Sequence, residues 1–148
     1  MTAPSPDQQI KVEVKRTYLA SREQVFRAWT EASALERWFK PMGRITIVKA
    51  LDVRVGGAFR FDLTSVDAPT IVITGCYVEI VRPEKLVFTW QSSTTNDKET
   101  LVTVTLTEQA AFTEVRLTHE RLTTEEMILG HQKGWEFYMD NLSTLFES

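Results

Sequence analysis

Hydrophobic and polar residues alternate near the start of the chain. Ile10, Val12, Val14, Arg16 and Tyr18 fall on one face, whereas the residues between them are charged or polar. A period of two residues is typical of a β-strand, because successive side chains point to opposite faces of a sheet. We therefore expect a first strand over residues 10–19.

The segment that follows, SREQVFRAWTEASALERWFKP, changes to helical spacing. Ser21 and Gln24 fit a capping box, in which each residue's side chain bonds the backbone N–H of the other. Thr30 is predicted to cap a second helix. Pro41 is predicted to end that helix, because proline lacks the N–H that a helix interior requires. The pattern thus predicts two short helices in tandem.

Six segments with strand patterning come next. They are RITIVKALDV, GGAFRFDL, TIVITGCYVEIV, LVFTW, TLVTVTL and TEVRLTHE. Gly56 and Gly57 are expected to serve a turn or bulge, and Pro83 a turn whose φ its ring already fixes. The links between the segments leave no room for crossover helices, so we predict an antiparallel meander.

The chain ends in an amphipathic pattern that predicts a long helix over residues 124–146. Thr123 and Glu126 fit a second capping box, and apolar side chains recur at helical spacing after them. Gly130 and Gly134 each lower helix propensity by about 1 kcal/mol relative to alanine. We therefore expect a break, or a close backbone contact, near these glycines.

This order of elements predicts an α+β, helix-grip fold. A curved seven-stranded antiparallel sheet would wrap around the long C-terminal helix, with the two short helices closing one end. A wide sheet over one helix rarely fills the space between them, so an interior cavity is expected. We expect a single domain over residues 10–148, preceded by a flexible segment at residues 1–9.

Composition and charge argue against several classes of function. The 148 residues have a formal net charge of -3 that is spread along the chain, which does not suit nucleic-acid binding. With Cys76 as the single cysteine and two histidines, we expect no disulfide, no metal and no cofactor. No segment has the pattern of a signal peptide or membrane span, so we expect a cytoplasmic protein, monomer or homodimer, without membrane contact.

Several stretches together resemble one family. They are SREQVFRAWTEASALERWFKP, LDVRVGGAFRF, GCYVEIVRPEKLVFTW, VTVTL, TEVRLTHE and HQKGWEFYMDNLSTL. The sequence is similar over residues 10–147 to the homologue family of the activator of heat-shock-protein-90 ATPase, in the SRPBCC (START-like, birch-pollen-allergen-like) superfamily. One departure is TEAS, where the family often has Asp-Pro. The resemblance implies a helix-grip fold with a hydrophobic cavity between the sheet and the C-terminal helix.

The resemblance does not imply one activity. Members are similar to lipid or polyketide carriers, aromatase/cyclases, a few hydrolase-type enzymes and a co-chaperone domain. Our first hypothesis is binding of a small hydrophobic or aromatic molecule in the cavity. The alternatives are a protein-interaction module that activates a chaperone ATPase in stress response, and a cyclase- or hydrolase-type enzyme that uses the same cavity; we favour binding without turnover.

The candidate cavity residues are mostly aromatic, and each would serve equally well as core. They are Trp29, Trp38, Phe39, Phe59, Phe61, Tyr77, Phe88, Trp90, His119, His131, Trp135, Tyr138 and Met139. His119 shares a strand face with Val115 and Leu117, so its imidazole would point inward and could exchange a proton with a substrate. It is the candidate catalytic residue, and a hydrogen-bonded structural histidine is the alternative.

Three arginines are candidates for holding a ligand carboxylate. Arg16 shares a face with apolar residues of the first strand, and Arg54 and Arg60 lie in DVRVGGAFRF. A guanidinium can bind a carboxylate through two parallel hydrogen bonds. The alternative is that these arginines pair with nearby acids such as Asp52 and Asp62.

Overall fold

The computed structural model describes residues 11–41 and 43–147, so the predicted flexible segment 1–9 and Ile10 lie outside the described residues. The helices are α1 (Arg22–Thr30), α2 (Ala32–Trp38) and α3 (Glu125–Leu142), with 3-10 turns at Ser93–Thr95 and Ser143–Phe146. The strands are β1 (Lys11–Tyr18), β2 (Ile45–Leu51), β3 (Ala58–Thr64), β4 (Ile71–Val81), β5 (Lys85–Trp90), β6 (Thr100–Gln109) and β7 (Phe112–Glu120).

The seven strands form one antiparallel sheet in the order β1-β7-β6-β5-β4-β3-β2. From β2 to β7 each strand pairs with its neighbour in sequence, which confirms the predicted meander. β1 pairs with β7, so the first and last strands of the chain are adjacent. The turn between β2 and β3 contains Gly56 with φ of +85°, a backbone conformation that side chains disfavour.

The two short helices begin differently, α1 with a side-chain cap and α2 without one. The predicted capping box is confirmed: Gln24 N donates to Ser21 Oγ over 3.2 Å, and Ser21 N donates to Gln24 Oε1 over 2.9 Å. The predicted cap at Thr30 is wrong, because its hydroxyl donates to the Phe26 carbonyl and Thr30 is the last residue of α1. Glu31 precedes α2 instead, without a side-chain cap.

Helix α3 begins one residue later than predicted and has no break. Thr124, not Thr123, is the N-cap, and its hydroxyl oxygen accepts from Met127 N over 3.1 Å. The helix runs through both Gly130 and Gly134 to Leu142, so the predicted break is wrong. A β-carbon placed on Gly130 would meet no atom within 4 Å, which also excludes a close backbone contact there.

The core lies between the inner face of the sheet and the three helices. Trp38 is fully buried, and its Nε1 donates to the Ala28 carbonyl oxygen over 2.8 Å. Ala28 lies in the last turn of α1, where carbonyl groups lack helical partners, so this bond holds α2 against α1. The Tyr18 hydroxyl donates to the Met139 carbonyl over 2.7 Å and joins β1 to α3 in the same way.

Within the described residues, no helix combines the length and the apolar composition that crossing a membrane requires.

Candidate functional site

A cavity of about 550 Å³ opens at one end of the sheet, beside α3 from its first turn to Tyr138. In an antiparallel sheet the end of β3, the start of β4 and the end of β5 lie at the same end of the sheet. These strand ends, the residues after α2 and the connection from β5 to β6 form the walls opposite the helix. The lining consists of Phe39, Pro41, Leu63, Ile71, Ile73, Trp90, Thr94, Asn96, Thr124, Glu126, Met127, Gly130, His131, Gly134, Trp135 and Tyr138.

The two glycines of α3 help to create this space. Both Gly130 and Gly134 face the cavity, and neither contributes a side chain to fill it. At Gly134 an added β-carbon would be 3.4 Å from the Tyr138 ring, which is an ordinary contact, whereas at Gly130 the surroundings are empty. The glycines that lower helix propensity therefore leave room beside the helix and do not interrupt it.

The inner wall of the cavity is aromatic. The rings of Trp90 and Trp135 have centroids 5.1 Å apart, and Phe39 packs edge-on against Trp90 at 5.6 Å. Tyr138 packs against Phe39 with centroids 4.7 Å apart. Burial raises the pKa of the Tyr138 hydroxyl, and no hydrogen bond to another described residue contributes to that shift. The phenol at the cavity wall is therefore neutral.

His131 provides a polar group at this aromatic wall. Its Nδ1 lies 2.8 Å from the Met127 carbonyl oxygen, one turn earlier in α3. Because a carbonyl only accepts, Nδ1 must carry the proton, and the neutral ring then has its lone pair on Nε2. Burial lowers the pKa of His131. Among the described residues, the hydrogen-bonding partner of Nε2 is the Thr94 hydroxyl, at a long 3.4 Å.

His119 is fully buried next to this site but does not line it. Trp135 Nε1 donates to His119 Nδ1 over 3.1 Å. Thr100 Oγ1 lies 2.7 Å from His119 Nε2 and gives its own proton to the Trp90 carbonyl, so it accepts the Nε2 proton. Burial lowers the pKa of His119 to about 3. Both ring nitrogens are thus occupied in a neutral imidazole, which matches the structural alternative for this residue.

The thirteen candidate aromatic and neighbouring residues divide into groups. Phe39, Trp90, His131, Trp135 and Tyr138 line the large cavity. A second space of only about 20 Å³ is lined by Trp29, Trp38, Phe59, Phe61, Tyr77 and Phe88, and shares Phe39, Trp90 and Trp135 with the large cavity. This second space has room for about one water molecule. His119 and the fully buried Met139 line neither space.

The structure does not bring the three candidate arginines to the cavity. Each pairs with an aspartate at 2.8 Å: Arg16 with Asp140, Arg54 with Asp52 and Arg60 with Asp62. The Asp140 hydrogen bond raises the pKa of Arg16, and the Asp62 hydrogen bond raises that of Arg60. These arginines follow the alternative of pairing with nearby acids.

Sequence reasoning missed the rim of the cavity. Thr94 and Asn96 lie in the SSTTNDK connection, which reads as an ordinary polar loop. Thr124 was predicted as the first residue of the last helix, and Glu126 as part of its capping box. The sequence did contain one indication that this loop lies at the cavity, because the loop directly follows the candidate residue Trp90 at the end of β5. Asn96 has φ of +59° after a capped 3-10 turn, so the loop has a defined shape.

A seven-stranded antiparallel sheet that grips a C-terminal helix, with a cavity between the two, defines a helix-grip protein of the SRPBCC class. The family described as "Activator of Hsp90 ATPase homolog 1-like protein" matches residues 19–147. The chain belongs to this family. Its family resemblance and its predicted fold are thereby confirmed.

Solved structures show the same fold. Protein CV1439 from Chromobacterium violaceum is 24% identical, with 93% of this chain and 98% of that chain covered and a TM-score of 0.82. A protein from Arthrobacter aurescens is 16% identical, with coverages of 98% and 90% and a TM-score of 0.83. NE0264 from Nitrosomonas europaea is 20% identical, with both coverages 97% and a TM-score of 0.79. A search of curated proteins gave no significant match.

Proposed function

We propose that this chain binds a small hydrophobic or aromatic molecule in the cavity between the sheet and α3. The observation that carries the proposal is a space of about 550 Å³ with an aromatic wall and a few polar groups at its rim. Small-molecule sites typically measure roughly 300–1,000 Å³ and combine these two features. Family membership supports the same function, because cavities that bind ligands are common in this fold family.

The ligand would lie against Trp90 and Trp135, at the outer end of the aromatic cluster. The inner end, around Trp29 and Trp38, is too tightly packed to accept more than a water molecule. Only two of the chain's four tryptophans would therefore contact a ligand directly. The indole N–H resonances of Trp90 and Trp135 should therefore respond to a ligand more than those of Trp29 and Trp38.

The test combines identification with titration. Native mass spectrometry of freshly purified protein would reveal a co-purified ligand, and 2-naphthol would serve as a defined aromatic probe. We expect saturable shifts of the Trp90 and Trp135 indole N–H resonances, larger than those of Trp29 and Trp38. Saturable binding to the folded state should also raise the melting temperature.

A variant that fills the cavity makes the test specific. Gly130→Leu adds a side chain where a β-carbon has no neighbour within 4 Å, so the fold should tolerate it while the cavity loses volume. Lys133→Leu is the matched control, because Lys133 is exposed on the same helix and does not line the cavity. We expect Gly130→Leu to weaken 2-naphthol binding at least tenfold and Lys133→Leu to leave it unchanged. Equal affinity in all three proteins would contradict the proposed site.

The two alternative functions have less support. The enzyme hypothesis rested on His119, whose ring nitrogens are both hydrogen-bonded away from the cavity. The chaperone hypothesis rests on the family description, which names an Hsp90 ATPase activator. A purified Hsp90-type ATPase would test it: a raised ATPase rate that Gly130→Leu does not alter would favour a protein-interaction module over a ligand-binding one.

A further inference from the structure

The charge of the cavity limits which ligands suit it. Among the described lining residues there is no lysine or arginine, and the one charged side chain is Glu126, at the exposed rim. A ligand carboxylate would therefore lose water without gaining a cation in return, and burial of an unpaired charge is strongly unfavourable. This arrangement is the opposite of an arginine clamp, which was one of the two roles that the sequence left open for Arg16, Arg54 and Arg60.

The start of α3 does not supply the missing positive charge. Backbone N–H groups at a helix N-terminus can attract anions. Here Thr124 already accepts from Met127 N, and Glu125 and Glu126 place two carboxylates in the first turn. A further anion at the rim would be repelled by these side chains.

His131 offers an acceptor where a clamp would need a donor. Its Nδ1 proton is directed to the Met127 carbonyl, so the lone pair on Nε2 is the group available at the cavity wall. Thr94 satisfies it only weakly, because its hydroxyl lies 3.4 Å from Nε2, at the long limit for a hydrogen bond. A hydroxyl or amino group of a ligand could donate to Nε2.

We infer that the ligand is an aromatic molecule whose polar group is a hydrogen-bond donor without negative charge, such as a phenol, an alcohol or an amine. The ring would pack against Trp90 and Trp135, and the donor would bond His131 Nε2, with Glu126 favouring a cationic amine. This inference rests on the proposed function, since it describes the ligand of the same cavity.

Four probes with one ring system test the inference: naphthalene, 2-naphthol, 2-naphthylmethylamine and 2-naphthoate. Their affinities would be measured at pH 7.5 by calorimetry and by the indole N–H shifts. We expect 2-naphthol and the amine to bind roughly 3- to 10-fold more tightly than naphthalene, the range expected of one net hydrogen bond. We expect 2-naphthoate to bind more weakly than naphthalene.

Two variants assign the preference to particular groups. His131→Phe keeps a ring but removes the acceptor, so the ratio of 2-naphthol affinity to naphthalene affinity should fall to about one, whatever the affinity for naphthalene itself becomes. Glu126→Gln should reduce the preference for the amine and the discrimination against 2-naphthoate. Glu125→Gln is the matched control, because Glu125 is the neighbouring exposed carboxylate and does not line the cavity. Melting temperatures would verify that each variant is folded.

The outcomes of this experiment distinguish the inference about the ligand's polar group from the proposed function of binding a molecule in the cavity. If none of the four probes binds saturably, the proposed cavity function fails and the inference fails with it. If the probes bind but 2-naphthoate binds as tightly as 2-naphthol, the inference is overturned while the function stands. If the 2-naphthol preference survives in His131→Phe, the assignment of the acceptor is overturned.

Discussion

Acidification should destabilise this protein through His119. The imidazole is fully buried, donates from Nε2 to Thr100 and accepts at Nδ1 from Trp135. Protonation would put a second proton on Nδ1, facing the Trp135 N–H, and would place a charge in the core. Both effects agree with burial lowering the pKa of His119 from 6.5 to about 3.

The sign and size of the effect follow from linkage. Above pH 6.5 both folded and unfolded chains keep His119 neutral, so the full stability is present. Below pH 6.5 the unfolded chain binds a proton that the folded chain rejects, and stability falls by about 1.4 kcal/mol per pH unit. The loss is about 2 kcal/mol at pH 5 and approaches ~5 kcal/mol near pH 3. The lowered pKa of His131 acts in the same direction.

Urea unfolding at pH 7.5 and pH 5 measures this loss. The comparison is made between the His131→Phe variant and the double variant that carries both His131→Phe and His119→Gln. Because neither protein has His131, any difference in how their free energies of unfolding change with pH belongs to His119. We expect the free energy of unfolding lost between pH 7.5 and pH 5 to be about 2 kcal/mol smaller when His119 is replaced. An NMR titration of the His119 ring checks the cause directly. A ring that titrates near pH 6.5 in the folded protein would refute the reasoning.

Three further predictions concern stability and can be measured by urea or thermal unfolding. Gly130→Ala should stabilise by up to about 1 kcal/mol, or roughly 2–4 °C, because helix propensity improves and the added carbon meets nothing; destabilisation would contradict the open surroundings of Gly130. Trp38→Phe should cost about 1–3 kcal/mol more than Trp29→Phe. The reason is that Trp38 Nε1 bonds a buried carbonyl, whereas Trp29 Nε1 is buried without a partner among the described residues, and equal costs would refute it. Ser21→Ala should cost about 1 kcal/mol through loss of the N-cap, with exposed Ser93→Ala as the control that should change little.

Much of the fold could be predicted from the sequence because its signals are local. Alternating residues predicted the strands, and short links between them predicted the meander, both of which the sheet confirms. The Ser21 capping box was equally readable, since both partners lie within four residues. The cap at Thr30 failed because a threonine hydroxyl can bond the carbonyl four residues earlier, and the sequence does not decide between these bonds.

The site was harder to predict because it depends on contacts between distant segments. His119 and Trp135 are on different elements, and only the fold shows that the Trp135 indole occupies the nitrogen a catalyst would need. Arg16 lies on the inward side of β1, yet its partner Asp140 comes from the end of α3. Residue type and spacing identified candidates for chemistry, but their partners decided which of them were available.

The position of the cavity is explained better by missing side chains than by the aromatic residues around it. The aromatic cluster continues from Trp29 and Trp38 to Trp135 and Tyr138, so composition alone cannot separate core from pocket. At the inner end, α1 and α2 place Trp29 against Trp38 at 4.7 Å and fill the space. At the outer end, α3 presents Gly130 and Gly134, and the same kind of aromatic surface stays accessible. If this reasoning holds, a single large residue at the exposed position 130 should occupy part of the cavity, with a loss of binding.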